Sequence, residues 1–92
     1  MTDPTDALLA ERGQTHGDFP EHAFVAQTLK QVMRACPSWP RLYDIQKETL
    51  EMVAHKIGRI LAGNPSHLDH WDDIAGYARL VGNRLRQGTD HP

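Results

Sequence analysis

Glu48-x-x-Glu51 and Asp69-x-x-Asp72 are the places in this chain where residue type and spacing combine into possible chemistry. A separation of three puts the two side chains of each pair on neighbouring parts of one helical face. Packed side by side, two such helices would gather four carboxylates, and their mutual repulsion calls for protons or a cation. Mg2+, a hard ion that prefers oxygen ligands, suits such a cluster. The expectation is a metal site of Glu48, Glu51, Asp69 and Asp72.

Further residues cluster around these acids. At about 100° per residue, Glu48, His55 and Arg59 share one border of a helix, and Lys56 falls in its otherwise apolar sector. A lysine there needs a partner, and Asp69, Asp72 or Asp73 can supply it. Two roles stay open for Lys56, a structural salt bridge with a snorkelling stem or contact with a phosphate or metal site. Asp69, Asp72 and Asp73 crowd one helix start beside His67, His70 and Trp71. The helix dipole favours acids at that end, but three exceed what capping requires. In Arg12-Gly-Gln-Thr-His-Gly-Asp18, Gly13 and Asp18 read as helix punctuation, whereas Arg12 and His16 are candidates for facing a ligand. Trp39 reads either as a cover for a base or, more simply, as the closure of the core beneath a proline-rich loop.

These residues need helices to position them. Asp3-Pro4 opens a short helix over about residues 4–12, closed near Gly13. Asp18 and Glu21 have capping-box spacing and open a helix over 19–35, with Phe24, Ala26, Leu29, Val32 and Met33 available for burial. Pro37 and Pro40 interrupt it. A third helix over 43–62 carries the stripe Ile45, Thr49, Val53, Ile57, Ile60 and stops at Gly63-Asn64-Pro65. A fourth, over 67–87, is capped by Ser66, carries Trp71, Ile74, Ala75, Ala78, Val81 and Leu85 on its apolar face, and ends at Gly88. The fold expected is all-α, one domain spanning residues 1–92, a compact bundle of about four helices with short connections.

Ninety-two residues give a small core, so a homo-oligomer is expected. The formal charge of −2 offers no basic surplus for a nucleic acid. No apolar run reaches the roughly 18 residues of a membrane span. The single cysteine, Cys36, fits a reducing, cytoplasmic setting. Neither a nucleophile elbow nor a Walker loop is present. His67, Asp69 and His70 have a spacing that could serve a transition metal, though a solvated helix start is the plainer reading.

Glu48-x-x-Glu51, seventeen intervening residues (52–68) and Asp69-x-x-Asp72 together resemble the ExxE…ExxD pattern of the all-α nucleoside triphosphate pyrophosphohydrolases, the MazG-like and dimeric dUTPase-like group. The chain is also similar, over most of 11–82, to small phage and prophage proteins. That similarity lies in Arg12–Phe19, Ala54–Ile60 and the Asp69-His-Trp-Asp-Asp-Ile-Ala-Gly-Tyr-Ala78 segment. The first resemblance implies that Glu48, Glu51, Asp69 and Asp72 hold Mg2+, with Glu51 and Asp72 essential to catalysis. Activated water would attack phosphorus and release pyrophosphate and a nucleoside monophosphate. Lys56 and Arg59 would neutralise phosphate charge; read from the residues themselves, Arg12, His16 and Asp73 are further candidates for contact with a bound substrate. The chain departs from that pattern at Asp69, one methylene shorter than the usual Glu, and at Lys47, where a second acid often stands. The alternative is a non-enzymatic, phage-type helical binding protein whose charged residues form structural ion pairs.

Overall fold

In the computed structural model, residues 3–88 are described, apart from the side chains of Gln14, Thr15 and His16. The described residues form four α-helices and no strand: α1 (Pro4–His16), α2 (Phe19–Ala35), α3 (Asp44–Ala62) and α4 (Leu68–Gln87). A 3-10 turn, Trp39–Arg41, lies between α2 and α3. Among these residues, no helix is long and apolar enough to cross a membrane.

Local chemistry accounts for most boundaries. Asp3 caps α1 by accepting the Thr5 N–H at 2.7 Å, and Asp18 caps α2 by accepting that of Glu21 at 3.2 Å. The Tyr43 N–H before α3 donates to Gln46 Oε1 at 2.8 Å. Two ends differ from expectation. Gly13 does not close α1, which continues to His16; Gly17, at φ 82°, makes the turn instead. Ser66 does not cap α4: its N–H donates to Asn64 Oδ1 in the preceding turn, and His67 stands at the cap position.

α3 is the central helix. It packs against α2 at Gly58, which faces His22 and Ala26, and against α4 at Lys56, which reaches Asp73. α2 and α4 share no comparable interface. Those two directions on α3 are nearly opposite at about 100° per residue, so α2, α3 and α4 lie in one layer, with α1 resting on α2 and α3. Gly58 sets the spacing of α2 and α3, since a Cβ there would meet His22 O at 2.9 Å and the Ala26 Cβ at 3.3 Å. Gly76 carries no such role, because nothing lies within 4 Å of a Cβ placed there.

The core is small. Among the described residues the buried apolar side chains are Ala26, Ala54 and Ile60. Phe24 and Val32, expected inside, are 71% and 62% exposed, and Trp71, Ala75, Ala78 and Leu85 of the α4 stripe are also exposed. A single layer covers less of each amphipathic helix than a closed bundle would.

Candidate functional site

α1 crosses the layer and leaves a trough between itself and α3. One part of this trough, about 650 Å³, is lined by Leu9, Arg12 and Gly13 of α1, by the Gly17–Phe19 turn, by His22, and by His55 and Arg59 of α3. A second part, about 410 Å³, is lined by Leu8, Glu11 and Arg12 on one side and Lys56, His67, Asp69, His70 and Asp73 on the other. Arg12 borders both.

Histidines occupy buried stripe positions beneath it. His22 begins the series His22, Ala26, Leu29, Met33, and His70 begins His70, Ile74, Tyr77, Val81, both at helical spacing. His70 is 1% exposed, the most deeply buried large side chain of the described residues. The His22 ring meets that of His55 edge-on at 4.6 Å between centroids and stacks with Phe19 at 6.1 Å. His67 and His70 form a second edge-on pair at 4.7 Å. Burial first, then the charge of Arg59, lowers the pKa of both His22 and His55, the latter to about 4. Both imidazoles are therefore neutral near pH 7, and can offer one N–H and one lone pair each.

Lys56 holds the other end. It is 9% exposed, and its ammonium lies 2.8 Å from Asp73 Oδ2. The hydrogen bond from Lys56 and its charge hold the Asp73 carboxyl below the usual range. This is the partner the sequence had left open among three aspartates.

The structure distributes the proposed site residues unevenly. Arg12, Lys56, Arg59, Asp69 and Asp73 all border the trough. The His16 side chain lies outside the described residues. Glu51 pairs instead with Arg34 of α2, and Glu48 and Asp72 are exposed and line neither part of the trough. Among the described residues, no group of three or more His, Cys, Asp or Glu side chains could hold a metal. Within one chain, then, the four acids do not make an all-protein Mg2+ centre. Asp69 and Asp73, four apart on α4, do share the lining of one compartment. Trp39, read as a possible base cover, is half-buried and lines neither compartment.

Sequence reasoning had not singled out His22, which forms the trough floor. Its signal was available: a polar residue heading an apolar series at spacings of four, three and four. Lys56 and His70 break their own stripes in the same way.

Fold and site define an all-α protein with a histidine-floored trough under α1, its walls carrying arginines and a lysine together with carboxylates. Residues 1–85 match the family described as Domain of unknown function (DUF6378), and the chain belongs to that family. No curated protein and no solved structure matches it.

Proposed function

We propose that this protein binds a phosphorylated small molecule of the nucleotide class in the trough. One observation carries the reading: Arg12 and Arg59 line a 650 Å³ compartment together with two neutral histidines and an aromatic ring. Guanidinium groups suit phosphate because they donate paired, charge-assisted hydrogen bonds. Phe19, 77% exposed yet stacked on His22, offers a planar face to a base. Leu9 adds apolar wall. An intracellular setting, where nucleotides occur, goes with this reading and with the free, exposed Cys36.

The test is a thermal-shift and calorimetric panel of nucleoside mono-, di- and triphosphates, with the matching nucleosides as controls. Phosphorylated members should bind and nucleosides should not. Arg12→Ala and Arg59→Ala should each weaken binding about tenfold, the scale of one charge-assisted hydrogen bond. No binding at millimolar nucleotide would end the proposal.

A second reading, Mg2+-dependent release of pyrophosphate, is favoured by Asp69 and Asp73 beside Lys56 and Arg12. Magnesium commonly takes one or two carboxylates and completes its shell with phosphate oxygens and water. Asp69 and Asp73 would hold it only alongside a polyphosphate, and when bound it would neutralise phosphate charge. Lys56 would orient Asp73, while Arg12 would bind phosphate across the trough. Mg2+ alone should then leave the melting temperature unchanged, whereas Mg2+ with a triphosphate raises it. Pyrophosphate release lost in Asp69→Asn but kept in Glu51→Gln would support this arrangement. Loss in Glu51→Gln or Asp72→Asn, with folding intact, would instead favour the four-acid site implied by the pyrophosphohydrolase resemblance. No release across the panel would leave the binding function alone.

A further inference from the structure

The layer formed by α2, α3 and α4 has two faces, and α1 covers only one. On α3, the trough side is marked by His55 and Arg59. At about 100° per residue the opposite side carries Leu50, Ile57 and Leu61. On α2, Phe19 and His22 line the trough, and at about 100° per residue Val25 and Val32 fall on the side turned away from Phe19. On α4, Asp69 and Asp73 border the trough, and Trp71, Ala78 and Leu85 fall opposite. Three helices thus direct apolar residues to the same uncovered face.

We infer that this face is the interface with a second copy of the chain, giving a two-layer homodimer with the troughs on its outside. Area favours that occupant. Val32, Leu50, Leu61, Trp71 and Leu85 are 42–63% exposed, together about 550 Å² on ordinary residue areas. With the half-buried side chains and alanines between them the patch approaches roughly 800 Å², the share one partner contributes to a standard stable interface. The need is also internal, because Ile60 is the only large apolar side chain buried among the described residues. A second layer supplies the missing half of the core. A two-fold axis makes one such patch sufficient, since it meets its own copy. Trp71 is set for this role. Its indole N–H is already satisfied by Pro65 O at 2.8 Å, so its ring can be buried without stranding a donor. Exposed Ala75 and Ala78 beside it leave room for a facing helix.

Sedimentation equilibrium of the full chain at about 50 µM, a concentration at which a stable dimer is fully formed, should give twice the chain mass of 10.4 kDa. Val32→Glu with Leu61→Glu should weaken association at least about 100-fold, because it buries charge against an apolar partner. Leu80→Glu, equally exposed but on the trough side of α4, should leave it unchanged. Since glutamates at an interface can prevent folding, a second measurement uses milder changes. In a Cys36→Ser background, Leu61→Cys should be alkylated at least about tenfold more slowly than Leu80→Cys, and dilution should abolish the difference. A monomeric wild-type chain, or equal alkylation rates, would overturn the inference. So would a monomer that floats with phosphatidylcholine vesicles, which would assign the face to lipid.

Discussion

His55 should make the protein lose stability in mild acid, starting at a pH above the range in which its carboxylates titrate. Its pKa falls from an ordinary 6.5 to about 4 in the fold, through burial and then the charges of Arg59, His22, Lys30 and Lys56. Above pH 6.5 the imidazole is neutral in both states and contributes no pH dependence. Between 6.5 and 4 the unfolded chain binds a proton that the folded chain refuses, so stability falls as pH falls. At 1.36 kcal/mol per pKa unit, the loss by pH 4.5 has a ceiling of about 2.5 kcal/mol. Because His55 is only half-buried, solvent screening brings this to about 2 kcal/mol. His22, lowered by the same kind of causes, acts in the same direction. Asp73 does not confuse the result: its pKa is lowered from 3.8, so its contribution is lost only below that range. The assay is urea unfolding from pH 7.5 to 4.5 at fixed protein concentration, comparing the wild type with His55→Asn. The variant should recover about 2 kcal/mol of the wild type's acid loss. Parallel pH curves, or an NMR titration placing the His55 pKa at or above 6.5, would refute the reasoning. Inorganic phosphate bound beside Arg59 should raise the His55 pKa and flatten the wild-type curve.

Three further outcomes follow from the packing. Gly17→Ala should detach α1, because the added Cβ would lie 1.8 Å from Ala62 O at a φ of 82°; limited proteolysis should then cut between α1 and α2 while α2–α4 persist, and nucleotide affinity should fall. Gly58→Ala should destabilise by about 1–2 kcal/mol in chemical denaturation, since forcing α2 from α3 outweighs the roughly 1 kcal/mol gained in helix propensity. Asp73→Asn should lower the melting temperature more than Asp72→Asn, by leaving the buried Lys56 ammonium without its carboxylate. Adding Lys56→Met to Asp73→Asn should restore much of that loss, because an apolar stem of similar volume needs no partner.

The helices themselves were readable from local chemistry. Asp3, Asp18, the proline pair around Trp39 and Gly88 act over one or two turns, so their effects need no knowledge of the rest of the chain. Gly13 misled because a glycine is permitted within a helix as well as after it. The choice of Gly17 rests on Ala62, a contact forty-five residues away in sequence. The apolar stripes were equally readable, but a stripe records only that a surface will be covered. It does not say whether Phe24, Val32 or Trp71 finds its cover within the chain.

The site divides along the same line. Sequence established the supply of charged groups on α3 and α4 and the anomaly of Lys56 within an apolar sector. Only the tertiary structure decided that Asp73 answers Lys56, that Arg34 occupies Glu51, and that α1 brings Arg12 over His22 and His55. Spacing along a helix fixes the direction of a side chain relative to its own axis. The rotation of each helix about that axis is set by burial against its neighbours, and so is chosen only when the helices meet.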